Sequence, residues 1–322
     1  MHGIELTPEH EVAQLSDFAA TAESVGFDAV FASHHYNNRD QFMTLADIAR
    51  RTEDIRLGPG IANPYETHPV TLASRMATLE ELSGGRGIFG VGPGDKSTLA
   101  NLGYDQGDAL RRTLETFKVA QRLWRGERVD HDGTFQAEDA GLNYEVGSIP
   151  VYVGAQGPHM TRMAAKHADG VLYNGSHPKD IRWAADQVEK GLADRPDERG
   201  DFDFAAYASV SVAEDEAAAR EAARPAVAYI AASSAPPLLD RHSLDPERAE
   251  DIGAAIERGD FEEAFGTVSE AMIDSFCIAG TPDDVSETVE GVLDSADSFV
   301  AGSPLGPDIE TAIELLGSAV FD

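Results

Sequence analysis

Two rhythms of apolar residues alternate along this chain. Short apolar runs give way to longer stretches in which apolar positions return every three or four residues. Ile4-Glu5-Leu6 ends a first short strand. From Pro8 to Val25 the spacing is helical, with Val12, Leu15, Phe18, Ala19 and Ala22 on one side, and Gly26 stops the helix. Phe27–Ala32 is a compact apolar strand and Phe42–Arg51 a helix. Ile55–Gly58, Pro69–Leu82 and Gly87–Val91 continue as strand, helix and strand. Leu110–Trp124 is an amphipathic helix. An Arg128–Gln136 hairpin, turning at Asp132-Gly133, stands outside the main rhythm. The alternation resumes with strand Val151–Gly154, a helix from Pro158, strand Gly170–Tyr173, a helix from about Lys179 and strand Phe204–Val212. A long helical tract runs from Glu214 to about Ser275, broken near Pro236-Pro237 and Gly259, and Phe276–Ala279 is a short extended piece. Thr281 caps the next helix, with Pro282 at its first position. Ser298–Ala301 is the last strand and Pro307–Ala319 the last helix.

About eight strands, each followed by helix, predict a closed parallel (β/α)8 TIM barrel with an insertion, in one domain spanning residues 1–322. An open doubly wound sheet is the alternative for the same alternation. At 42% hydrophobic content the 322 residues suffice for one large core. Met1 is followed by strand-like residues and no apolar run is long enough to span a bilayer, so a cytoplasmic enzyme is expected. Cys277 is the single cysteine, which rules out an intrachain disulfide and argues against a cysteine-based metal site.

Charge changes the picture more. The chain carries 25 basic and 57 acidic residues, a net charge of −32. Lysine occurs only at Lys96, Lys118, Lys166, Lys179 and Lys190, so arginine supplies the other 20 cations. Such a surface repels nucleic acid and anionic membranes. It points to adaptation to high salt, where self-repulsion is screened over roughly 3 Å at 1 M. The melting temperature followed by circular dichroism is therefore expected to rise from dilute buffer to molar KCl; an unchanged melt would contradict the halophilic reading.

In a barrel, chemistry is built from loops at the carboxyl ends of the strands. Five such segments are rich in functional groups: Ser33-His34-His35-Tyr36-Asn37-Asn38-Arg39-Asp40, Gly58-Pro59-Gly60-Ile61-Ala62-Asn63, Gly90-Val91-Gly92-Pro93-Gly94-Asp95-Lys96, Gly154-Ala155-Gln156-Gly157-Pro158 and Ala301-Gly302-Ser303-Pro304. Glu5 sits on the first strand. Taken singly, His35 reads as a structural histidine, Glu5 as the partner of an arginine in the barrel, and the glycines as turn residues. Their convergence on one face of the expected barrel is what assigns them to a site.

The Gly90–Lys96 run is not a Walker A loop, because Asp95 rather than Gly precedes Lys96. Nor is it a dinucleotide fingerprint, since no glycine fills the last place of G-x-G-x-x-G. It suits an anion: glycines expose N–H groups, a helix follows, and Lys96 adds a scarce cation. Gly154–Pro158 opens a helix in the same way and is a second phosphate candidate. No metal site is expected, because His34 and His35 are adjacent rather than spaced for one helix face and no H-E-x-x-H occurs. No G-x-S-x-G supports a serine hydrolase.

These segments, together with Ser83-Gly84-Gly85-Arg86, Ser176-His177-Pro178-Lys179-Asp180, Ile252-Gly253-Ala254-Ala255-Ile256 and Gly280-Thr281-Pro282-Asp283-Asp284, resemble the coenzyme F420-dependent methylenetetrahydromethanopterin reductases of the luciferase-like barrel superfamily. The similarity runs from Gly3 to about Ile313. The resemblance implies a luciferase-like barrel, usually a homo-oligomer, with F420 lying across the strand ends and a small-molecule tetrahydropterin as substrate. It implies a non-prolyl cis peptide at Gly60–Ile61 beside the deazaflavin ring and His35 near that ring. Gly94, Lys96, Gln156 and Gly157 would lie near the ring, phosphate or tail, and Asn63, Asp95 and Gly154 complete the expected cofactor set. One position departs: relatives carry Asp before the matching histidine, where this chain has His34.

Hydride transfer to the methylene carbon requires the bridged ring of the substrate to open to an iminium, with a proton delivered to the leaving nitrogen. Glu5 is the expected catalytic acid, because a carboxyl enclosed in a dry barrel mouth can hold that proton near neutral pH. Alternatives are a methylenetetrahydrofolate reductase using F420 or NAD(P)H, an FMN-dependent monooxygenase, and a non-enzymatic deazaflavin- or pterin-binding protein.

Overall fold

The computed structural model describes residues 1–321. Its elements, in chain order, are β1 (His2–Leu6), α1 (Val12–Val25), β2 (Ala29–Ala32), α2 (Gln41–Arg51), β3 (Arg56–Pro59), α3 (Pro69–Ser83), β4 (Phe89–Val91), α4 (Lys96–Asn101) and α5 (Ala109–Trp124). A hairpin of β5 (Val129–Asp132) and β6 (Gln136–Ala140) follows. Then come β7 (Val151–Ala155), α6 (Pro158–His167), β8 (Gly170–Asn174), α7 (Pro178–Leu192) and β9 (Asp203–Val212). Five helices make an excursion: α8 (Glu216–Ser233), α9 (Pro236–His242), α10 (Pro246–Arg258), α11 (Phe261–Thr267) and α12 (Glu270–Phe276). The chain closes with β10 (Ile278–Gly280), α13 (Pro282–Leu293), β11 (Ser298–Leu305) and α14 (Ile309–Phe321).

Eight parallel strands run in the order β3-β2-β1-β11-β9-β8-β7-β4, with β10 paired to the end of β9. Parallel bridges Leu57–Gly87 and Ala62–Val91 join the two outer strands and close the barrel, which excludes the open sheet. Glycine makes that seam possible. A Cβ on Gly58 would lie 1.8 Å from the Ile88 carbonyl oxygen, and one on Gly90 would lie 1.9 Å from that of Pro59. Alternation divides each strand between two cores. Ala29, Phe31, Ile88, Tyr152, Leu172 and Val300 fill the barrel interior. Val30, Leu57, Phe89, Val153 and Val171 face the surrounding helices.

Several elements differ from the sequence reading, among them α4, which was not expected, and β6, which runs on to Ala140 beyond the expected Gln136. α1 begins at Val12 rather than Pro8, because Thr7–His10 forms a turn closed by the Glu9 N–H on the Thr7 carbonyl. The long helical tract is five helices, which bury Val227, Leu239, Ile252, Met272, Phe276 and others in a small core of their own. Thr281 does cap α13, and the Asp284 carboxylate returns the bond to the Thr281 N–H. Among the described residues no helix is long and apolar enough to cross a membrane.

The hairpin is tied to α5 by Glu115, whose carboxylate accepts from the Thr134 N–H at 2.8 Å, the Thr134 hydroxyl at 2.7 Å and Arg111 Nε at 2.6 Å, with His131 Nε2 at 3.1 Å. Burial pushes this acid up, but those partners outweigh it and hold it at about 2 against an ordinary 4.5. A depressed folded value stabilises the fold above pH 4.5 and the contribution fades as pH falls toward 2. Glu115→Gln is therefore expected to melt lower than the parent at neutral pH and to lose less between those limits. Parallel melting curves against pH would contradict this.

Candidate active site at the carboxyl ends of the strands

A cleft of about 450 Å³ opens where the strands end. His35, Gly60, Ile61, Asn63, Gly94, Asp95, Lys96, Gly154 and Gln156 all line it, so four separate strand ends bring the expected cofactor residues together. Gly157 lines an adjoining cavity of about 260 Å³, which shares Gln156, Asn174 and Ile230 with the cleft.

The Gly60–Ile61 peptide is cis. Gly60 is pressed from behind: a Cβ there would meet Phe31 Cβ at 2.8 Å and the Tyr207 hydroxyl at 3.0 Å. Tyr207 donates to the Gly60 carbonyl at 3.3 Å. Burial, and then the nearby Glu5, push the Tyr207 hydroxyl well above its usual value, so it remains a neutral donor. The Ile61 side chain sits in a notch formed by two glycines, with Cβ atoms on Gly92 and Gly154 falling 3.1 and 3.0 Å from it.

The Gly90–Lys96 loop has structural work beside that expected of an anion cradle. Gly90 serves the seam and Gly92 receives Ile61; Gly94 has φ +78° and lies against Asn63. Asp95 Oδ1 is occupied by the Thr98 N–H at 2.7 Å and by the Ser97 and Thr98 hydroxyls at 2.6 and 2.5 Å. Burial pushes the Asp95 carboxyl up, but these bonds and His35 outweigh it and keep it below its usual range. The start of α4 is thus already capped by an anion, and Lys96 is exposed on the cleft lip. Gln106 fixes the loop by donating to the Pro93 and Gly94 carbonyls at 3.0 and 2.7 Å.

The start of α6 is the opposite case. Gly157 is its N-cap, without a side-chain capping bond, and the first turn holds no acid. A Cβ on Gly157 would meet nothing within 4 Å. Of the two phosphate candidates this is the one with open N–H groups and free space.

His34, the departure from the family pattern, has a partner. Its Nε2 lies 3.1 Å from Glu66 Oε1, which also accepts from Asn63 Nδ2 at 2.8 Å. Glu5 is 3% exposed and stands behind the cleft wall rather than in its lining. Its carboxyl is held by Thr7 and Ser303, not by an arginine. Sequence reasoning did not single out Tyr207 and Asn174, although inward alternation on β9 and the end of β8 marks both. Ile230 and Ser233 reach the cleft from α8, for which the sequence carries no signal.

Residues 2–297 match the luciferase-like monooxygenase family. The chain is 41% identical to the 5,10-methylenetetrahydromethanopterin reductase of Archaeoglobus fulgidus, over 99% of this chain and 98% of that protein. It is 40% identical to the reductase of Methanolobus tindarius, over 99% of each. The structure of the coenzyme F420-dependent tetrahydromethanopterin reductase of Methanopyrus kandleri superposes with a TM-score of 0.92 at 39% identity, covering 99% of this chain and 97% of that one. The chain therefore belongs to the luciferase-like monooxygenase family and, within it, to the 5,10-methylenetetrahydromethanopterin reductases.

Proposed function

We propose that this chain reduces a 5,10-methylene-tetrahydropterin to its 5-methyl form, with reduced coenzyme F420 as donor. The observation that carries the reading is a cleft with an apolar wall, formed by Ile61 and Leu172, that meets at Gln156 the adjoining cavity at the uncapped start of α6. F420 combines a planar deazaflavin with a phosphate-bearing tail, and the cleft and the adjoining cavity fit those two chemistries in turn. When bound and reduced, F420 supplies a hydride.

The protein's task is to hold donor and acceptor rings together, keep water out and manage one proton. Ile61, fixed in its glycine notch, presents a surface that cannot recede. The N–H groups at the start of α6 take the phosphate, and Lys96 adds a cation at the lip. Glu5 is the acid that protonates the leaving nitrogen of the substrate. Among acids on the barrel strands near the cleft wall it alone is nine-tenths buried.

The decisive assay is anaerobic and in high salt. Reduced F420 or NAD(P)H is crossed with methylene-tetrahydromethanopterin or methylene-tetrahydrofolate, and donor oxidation is followed. The fastest oxidation is expected for reduced F420 with the methanopterin substrate; FMN-dependent oxygen consumption instead would overturn the reading. Gly157→Asp tests the phosphate position separately. A carboxylate at that N-cap occupies the N–H groups and repels an anion, so F420 affinity is expected to fall roughly tenfold or more. Unchanged affinity in a fluorescence titration would remove α6 from the cofactor site.

A further inference from the structure

Hydroxyls, not charges, enclose the Glu5 carboxyl. The Thr7 hydroxyl oxygen lies 2.9 Å from Oε1 and the Ser303 hydroxyl oxygen 2.9 Å from Oε2, which also accepts from the Ser303 N–H at 3.0 Å. Thr7 Oγ1 and Ser303 Oγ are themselves 2.8 Å apart. Pairing of β1 with β11, Ile4 opposite Ala301, brings these two positions together from opposite ends of the chain.

Hydrogens in this ring can be counted. Three short oxygen–oxygen contacts need three hydrogens, and the two hydroxyls carry one each. With a carboxylate, both hydroxyls turn toward it and the 2.8 Å contact is left without a hydrogen. With a carboxylic acid, every contact holds one. The Ser303 N–H stays on Oε2 in both cases. The ring is therefore complete when Glu5 carries a proton.

The ring also has an exit. Ser33 Oγ lies 3.3 Å from Thr7 Oγ1 and donates to it. Ser33 lines the cleft, and Glu5 and Thr7 do not. Tyr207, the other hydroxyl beside Glu5 on the cleft wall, is engaged with the Gly60 carbonyl. We propose that Thr7 and Ser303 are positioning residues that hold the Glu5 proton, and that Thr7 passes it through Ser33 to the leaving nitrogen of the substrate. This rests on the reading of Glu5 as the acid.

In that step the Thr7 and Ser33 hydroxyls first turn toward the cleft; the Glu5 proton then moves to the Thr7 oxygen, the Thr7 proton to the Ser33 oxygen and the Ser33 proton to the nitrogen. The carbon–nitrogen bond breaks with its electron pair left on nitrogen, the methylene carbon becomes an iminium, and Glu5 becomes a carboxylate. Both hydroxyls are regenerated with their orientations reversed. The reversed donor directions, Ser33 to Thr7 to Glu5, are those of reprotonation after turnover.

Thr7→Val, which keeps the shape and removes the hydroxyl, is expected to lower kcat roughly tenfold or more. KM and F420 affinity should stay within about twofold, because no binding contact is lost. Thr7→Ser should restore most of the rate. In the cofactor-free protein, the infrared difference between wild type and Glu5→Gln should contain the carbonyl stretch of a protonated carboxylic acid, and Thr7→Val should shift it. Absence of that band overturns the held proton. Unchanged kcat in Thr7→Val, with Glu5→Gln inactive, overturns the relay and leaves Glu5 as the acid. A wild-type rate in Glu5→Gln removes the acid itself. If Thr7→Val fails to fold, Ser33→Ala breaks the same path outside the ring, and a wild-type kcat there overturns the relay equally.

Discussion

Glu5→Gln is expected to fold, to bind F420 with its parent's affinity, and to lose turnover by about 10²–10⁴-fold, the usual contribution of a positioned acid. The amide is nearly isosteric with the carboxyl. Its oxygen can still accept from the Ser303 N–H and its NH₂ group can donate to Thr7, so the buried position keeps its partners. What it cannot do is release a proton. F420 affinity is the control, because Glu5 lies behind the cleft wall and not in its lining. Steady-state kinetics and a cofactor titration on one preparation separate the outcomes. A rate close to wild type would take Glu5 out of the mechanism and leave the cofactor site intact.

The second large effect is on folding. Gly58→Ala sets a Cβ 1.8 Å from the Ile88 carbonyl oxygen, and that oxygen belongs to backbone which cannot move aside. Ile88 donates to the Leu57 carbonyl at 2.9 Å across the same seam. Relief requires β3 and β4 to separate, so a loss of more than about 3 kcal/mol is expected, beyond ordinary overpacking. Gly90→Ala meets the Pro59 carbonyl at 1.9 Å and should behave alike. Gly157→Ala is the contrast: its Cβ meets nothing within 4 Å, and its stability should stay within about 0.5 kcal/mol of the parent. Denaturant melts of the three variants check the set. A Gly58→Ala protein as stable as its parent would mean that the seam is not closed as described.

Much of this architecture can be read from residues alone. The alternation of short apolar runs and helical spacing is a local property, and it places the eight strands and the loops that carry the cleft. The convergence of His35, Gly60, Asn63, Gly94 and Gln156 follows once the barrel closes, since parallel strands deliver all their ends to one face. The reason for a particular glycine is not local. Gly90 and Gly92 read as an anion loop because glycine content is visible, whereas the Pro59 oxygen and the Ile61 side chain that require them come from another strand. Asp95 read as part of the cofactor set and lines the cleft, but its other task, capping α4 through Oδ1, serves a helix too short for periodicity to reveal. The hydroxyl ring around Glu5 was equally hidden: Thr7 and Ser303 are ordinary residues until β1 pairs with β11.

The central claim is hydride transfer from F420 to a methylene-tetrahydropterin, and isotope transfer tests it most directly. The enzyme is mixed anaerobically in molar KCl with F420 reduced with deuterium at its hydride-donating carbon and with methylene-tetrahydromethanopterin, and the product is analysed by mass spectrometry. One deuterium in the new methyl group is the predicted result. A methyl group without deuterium, or no methyl product from any pairing of donor and pterin, would contradict it.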